Sequence, residues 1–221
     1  MRATEKEWNV TDNSKLVGEA LKNGAKGFTP IVERYKDAVF GVALMRLHNF
    51  HDAEDVAQTA FLTAYERLSH LKDPDRLGAW LRSITIHQCL DHLRRRRQRE
   101  DYEGRSPLAV SDTATHEPFT DEFRHTQMMQ AIDGLNKVQK ETVVLYYISG
   151  YSQKEIAAMQ EVPVGTVKYR LHESRRKLKQ DSVAMVKQVL QDNTPKQDFA
   201  GRVFELLFEP EDQRKLWRAD I

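Results

Sequence analysis

From Lys15 to Arg97 apolar residues recur at three- and four-residue intervals, as in Val39, Val42, Leu44 and Leu47 and again in Val56, Ala60, Phe61, Ala64 and Leu68. That is the period of a helix burying one face. The pattern breaks at Asn23-Gly24, between Asn49 and Asp52, and at Asp73-Pro74. It therefore predicts roughly four helices, with Asp52 as the N-cap of the third. From Gln98 to about Phe123 the periodicity vanishes in REDYEGRSPLAVSDTATHEPFTDE, a mixture of Gly, Pro, Ser, Thr and acids that reads as a solvated tether. Helical spacing resumes near Arg124 and runs through Met128, Met129, Ile132 and Leu135. Val138 to Ser149 follows as an apolar helix closed by Gly150. Beyond Asp181, VAMVKQVL and FAGRVFELLF predict two more short helices separated by DNTPKQD. The extension's stripe of Phe199, Val203, Leu206 and Leu207 has to pack on something.

The most specific local pattern is SGYSQKEIAAMQEVPVGTVKYRLHESRRKLKQ, residues 149–180. Ser152 with Glu155 forms a capping box, so a helix should begin at Gln153, bury Ile156 and Ala157, and stop near Gln160. Glu161-Val162 then supplies a turn. Pro163 suits the first turn of a second helix running to about Gln180. The pattern looks like a helix-turn-helix. On the second helix Val167, Leu171, Ser174 and Leu178 share one narrow stripe that must face inward. Gly165, Tyr169, His172, Glu173 and Arg176 lie opposite, flanked by Lys168, Lys179 and Thr166. Such a helix enters the major groove, so Lys168, Tyr169 and His172 are assigned to bases. Thr166, Arg170, Arg175 and Arg176 are assigned to phosphates, with Arg176 also able to read guanine.

A net charge of +1 conceals opposed blocks. Residues 82–99 hold six Arg against one Asp, and residues 163–180 hold six Lys or Arg against one Glu. Residues 100–122 hold seven acids against one Arg. Two basic patches thus flank an acidic segment. With 40% hydrophobic residues the chain can bury a core. The expected fold is all-α: two small helical domains, 1–98 and 124–180, joined by a flexible acidic linker, 99–123, with the helix-turn-helix in the second. A short helical C-terminal extension, 181–221, follows and is left without a role.

Several function classes drop out. There is no Gly-rich phosphate loop, no HExxH, no paired cysteines and no nucleophile clustered with a base, so no enzyme, cofactor or metal is expected. His48 and His51 near Asp52 and Asp55 read as chance clustering at a helix start. Cys89 is the single cysteine, which forbids an intrachain disulfide. The opening MRATEKEWNVTDNSK lacks the apolar run of a signal peptide, and no stretch approaches the ~18 apolar residues of a bilayer span. A cytoplasmic protein with no membrane insertion is the expectation.

Residues 51–97, HDAEDVAQTAFLTAYERLSHLKDPDRLGAWLRSITIHQCLDHLRRRR, together with the helix-turn-helix and TVKYRL, resemble the extracytoplasmic-function (ECF, group IV) sigma factors of bacterial RNA polymerase. The resemblance covers about residues 25–180. It implies a subunit that binds core RNA polymerase through its largest-subunit coiled coil and its flap, and that directs promoter-specific initiation. By this resemblance Asp55, Gln58, Thr59, Phe61 and Leu62 bind polymerase, Thr59 standing where an acid is common. The loop Ser69 to Arg76 and the helix Trp80 to Arg97 open the minus-ten element, with Lys72, Arg76, Arg82, His87, Arg94 and Arg95 on DNA and Trp80 in the core. His87 replaces the usual Asn, and Leu77 replaces a common aromatic. The helix-turn-helix takes the minus-thirty-five duplex. The linker would thread the polymerase's RNA channel, and an anti-sigma factor is a further conceivable partner. The rival reading is a stand-alone helix-turn-helix regulator that does not bind core polymerase. The Asp55-Gln58 surface discriminates the two, because a plain repressor has no need of it.

Overall fold

The computed structural model describes residues 13–102, 130, 132, 134–147, 149–178 and 198–208. Among these residues every regular element is helical. The linker from 103 on, Arg124, Met128, Met129, Lys179 and VAMVKQVL lie outside the described residues.

Helix α1, Asn13–Leu47, is two helices folded at Gly24. There φ is 59° and ψ −140°, a conformation that L side chains rarely adopt, and it turns the chain between the two predicted segments. Helix α2, Phe50–Arg67, starts from Asn49, whose side chain accepts from the Asp52 N–H at 3.0 Å. The cap is therefore Asn49 and not Asp52, which sits in the first turn where a carboxylate meets the positive end of the helix dipole. Two short 3-10 turns, Leu68–His70 and Pro74–Arg76, lead into α3, Leu77–Tyr102. Helix α3 passes the expected boundary at 98, because arginine and glutamine propagate a helix well and the first breaker is Gly104.

In the second half α4 is Lys137–Tyr147, α5 is Gln153–Gln160 and α6 is Val164–Lys177. Gly150, at φ 65°, turns the chain between α4 and α5. The capping box at Ser152 and Glu155 is present in both directions. Glu161 takes the left-handed conformation that closes α5, at φ 54°. Pro163 precedes α6 rather than lying inside it. The helix stops at Lys177, with Leu178 already extended, short of the predicted Gln180. The last described element, α7, is Phe199–Phe208.

Helices α1, α2 and α3 pack together around Phe28, Ile31, Leu44, Phe61, Leu77 and Leu81, all at most 1% exposed. Helices α4, α5 and α6 form the second unit around Leu145, Ile156, Val167 and Leu171. The two units share one hydrophobic core. Helix α4 lies on α1 and α5 lies on α3. The approach is closest at Gly41, where an added Cβ would stand 2.5 Å from Val144 Cγ1. The Tyr151 hydroxyl crosses the boundary to donate to the Arg34 carbonyl at 2.7 Å. Helix α7 returns to α1 and α2, burying Phe199, Ala200 and Val203.

Candidate polymerase and promoter interfaces

The helix-turn-helix is held by a buried polar relay. Gln160 Oε1 accepts from the Thr142 hydroxyl at 3.2 Å and from Arg170 Nη1 at 2.7 Å, tying α4, α5 and α6 together. The inward stripe is as predicted: Val167 and Ser174 are fully buried, with Leu171 and Leu178 nearly so. Ser174 can sit in the core because its hydroxyl donates back to the Arg170 carbonyl at 2.7 Å. Lys168, Tyr169 and His172 project from the outer face, Tyr169 being 66% exposed despite its apolar ring. An aromatic left in water beside a lysine and a histidine suits contact with base edges.

The residues assigned to phosphates differ in freedom. Arg170 is half-buried and engaged with Gln160. Arg175 Nε donates to the Tyr147 hydroxyl at 2.7 Å, and its guanidinium lies 5.8 Å from the centroids of both Tyr146 and Tyr147. Arg176 pairs with Glu173 at 2.9 Å, which holds the Glu173 carboxyl below its usual range. Thr166 is half-buried at the start of α6.

In the first half Asp55 is exposed and Gln58 half-buried on α2. Partial desolvation, followed by the neighbouring Asp52 and Glu54 charges, raises the Asp55 carboxyl above the usual range. Thr59 donates to the Asp55 carbonyl at 3.0 Å and faces a groove shared with Gln88, His92 and Arg95 of α3. Phe61 and Leu62 are buried; the Phe61 ring meets Phe28 and Phe199 edge-on, at centroid distances of 6.5 and 6.0 Å. Both therefore support the helix from below. At its start, Asp52 lies 3.5 Å from His92 Nε2, and that hydrogen bond keeps its carboxyl low.

The residues assigned to the minus-ten element lie along the loop and α3. Lys72 is exposed, and His87 is exposed with Nδ1 2.7 Å from the Ser83 carbonyl. Arg94 pairs with Asp91 at 3.1 Å, the contact along the helix that the spacing suggests. Arg95 is half-buried beside α2. Arg76 and Arg82 are held by acids of the second half: Arg76 by Glu161 in the helix-turn-helix turn, and Arg82 by Glu141 of α4. Sequence reasoning missed both acids. Glu141 stands inside the apolar run of α4, where only a partner supplied by another element makes a carboxylate tolerable.

Residues 31–99 match the family model for Sigma-70 region 2, and residues 125–178 match that for Sigma-70 region 4. The ECF RNA polymerase sigma factor SigE of Mycolicibacterium smegmatis is 32% identical over 188 residues, spanning 80% of this chain and 71% of the relative. The chain belongs to the ECF sigma factors. SigW of Bacillus subtilis is 28% identical over 177 residues, covering 75% of this chain and 94% of that protein. Among solved structures, CnrH in complex with the cytosolic domain of CnrY superposes with a TM-score of 0.53 at 25% identity, covering 76% of this chain and 94% of CnrH. As a sigma factor the chain works with core RNA polymerase and promoter DNA in transcription initiation. Among the described residues no helix is long and apolar enough to cross a membrane.

Proposed function

We propose that this sigma factor docks core polymerase through the face of α2 bearing Asp55 and Gln58. In this reading residues 1–98 take the minus-ten element and residues 124–180 take the minus-thirty-five duplex. The observation that carries the reading is the coexistence of two separate cationic surfaces, on α3 and on α6, with an acidic and amide surface on α2 that DNA would repel. A plain regulator has a use for α6 alone. Lys168, Tyr169 and His172 read bases, while Arg175 and Arg176 steady the backbone from the flank. Lys72, Arg76, Arg82, His87, Arg94 and Arg95 track the melted strand, where a basic groove and an unstacked base have to meet. Arg76 and Arg82 are paired across the two halves in this conformation, so promoter engagement requires the halves to part. Polymerase supplies the free energy and sets the spacing between two individually weak sites.

The protein acts in the cytoplasm as an initiation factor with no catalytic chemistry of its own. A protein that binds the factor directly is a fitting regulator, by analogy with the cytosolic domain of CnrY bound to CnrH. The test is transcription from a genomic template library by purified core polymerase with this protein added, followed by sequencing of transcript ends. Discrete starts sharing upstream motifs are expected. Absence of initiation with sequence-specific DNA binding intact would transfer the protein to the stand-alone regulators.

A further inference from the structure

Helix α7 lies beyond both family-matched segments, which end at residues 99 and 178. SigW is matched over 94% of its length by 75% of this chain, so a quarter of this chain falls outside that match. The α1–α3 unit is thus defined by the family without α7, yet here α7 is seated on it.

The seat is specific. Phe199 packs its ring edge-on against Phe61, and Arg202 forms an ion pair with Glu54. Glu54 and Phe61 lie one turn before and one turn after Gln58 on the same side of α2. A helix that touches both runs along the edge of α2 beside the turn that carries Gln58. A segment serving only to fill a core needs its apolar stripe and nothing more. Here Arg202 adds a directed charge contact to the edge of α2, and its guanidinium is steadied by Asp198 at 3.7 Å and lies 5.9 Å from the Phe199 centroid.

We propose that α7 is an intramolecular competitor of core polymerase, occupying the flank of the α2 docking face until polymerase displaces it. The proposal rests on the assignment of Asp55 and Gln58 as the docking face. Displacement exchanges one helix for another, since the occupant expelled is an amphipathic helix and the one arriving is the polymerase coiled coil. Apparent core affinity scales with the fraction of molecules in which α7 is off its seat, so loosening α7 tightens polymerase binding up to the intrinsic limit.

The first experiment uses the unaltered chain. Amide hydrogen exchange across residues 199–208 is compared with and without saturating core polymerase. Loss of protection in the complex is expected; protection retained in the complex overturns the proposal. The second measures core affinity for Arg202→Glu, which turns the Glu54 and Asp198 contacts repulsive. A rise of about fivefold is expected, at the lower end of ordinary coupling between sites. An unchanged affinity, with α7 shown by exchange to be released, overturns it as well. Asp55→Arg in the Arg202→Glu background separates the two ideas. If it abolishes binding while Arg202→Glu alone brings no gain, the docking face stands and the competitor fails; undiminished binding removes both.

Discussion

Arg82 reaches across the boundary between the two halves and donates from Nη2 to Glu141 Oε2 at 3.1 Å, on a carboxylate that also lies 3.8 Å from Arg46. Glu141 is 3% exposed, so its charge is tolerable only because two guanidiniums converge on it. Glu141→Gln leaves those cations facing each other in a largely dry setting. We expect a loss of about 3 kcal/mol, the ordinary consequence of removing one member of a buried pair. In a chain of this size that lowers Tm by roughly 6–12 °C. A thermal melt that is unchanged in the variant would show that the contact contributes nothing to the closed arrangement.

The same closure can be opened without touching a charge. Gly41 is where α1 and α4 come closest, and even a Cβ would press on Val144. Gly41→Leu is expected to separate the halves while each helical unit stays folded. The radius of gyration from small-angle scattering should rise at constant helical circular dichroism. An unchanged radius would mean that Val144 gives way and the halves stay closed.

What was legible beforehand was local. The break at Gly24, the capping box at Ser152, the turn at Glu161 and the buried stripe from Val167 to Leu178 all depend on neighbours within a few residues. The errors were equally local. Asn49 outcompeted Asp52 as a cap because its amide lies three residues before the N–H that needs an acceptor, and α3 ran on because nothing between Gln98 and Tyr102 breaks a helix. What stayed hidden was the partner of each charge. Glu141 with Arg82, Glu161 with Arg76 and Arg202 with Glu54 join residues far apart along the chain, and no periodicity records them. For the same reason Phe61 and Leu62, matched by resemblance to a polymerase contact, lie in the core under that surface.

Asp55 tests the docking face directly. Its carboxylate is exposed near the start of α2, and reversing its charge asks nothing of the core beneath. Asp55→Arg should weaken core polymerase binding by about tenfold or more, equivalent to ~1.4 kcal/mol or above. Promoter-dependent transcription should fall to background while the melting curve is retained. Full transcription by the variant would move the docking site elsewhere on the protein.

Cys89 provides a reporter of opening. The thiol is fully buried, and burial pushes its pKa up to about 12 against a weaker opposing pull from Arg46. The thiolate is the reactive form. An aromatic disulfide reagent should therefore titrate no thiol in the folded protein and one per chain in denaturant. Rapid stoichiometric reaction of the native protein would contradict the burial. Cys89 lines a pocket with Leu135, Lys137 and Lys140 of the second half, so the slow native rate reads out parting of the halves or unfolding of the α1–α3 unit, whichever comes first.

The base-reading and phosphate-holding roles proposed for α6 fall on side chains that the structure holds differently. Lys168, Tyr169 and His172 stand clear of the core. Arg175, by contrast, is oriented by Tyr147 and the two aromatic rings, so its guanidinium is held at one height beside the helix. A cation held that way suits a phosphate, whose position is the same for every sequence. Lys168→Ala and His172→Ala should change which minus-thirty-five sequences are preferred, each by about 1–3 kcal/mol at one base position. Arg175→Ala should weaken all sequences alike and reduce the salt dependence of binding by about one phosphate contact. Initiation by core polymerase on a library randomised in that element separates the two behaviours. A uniform loss from all three substitutions would mean that α6 grips the backbone and that the discrimination lies elsewhere.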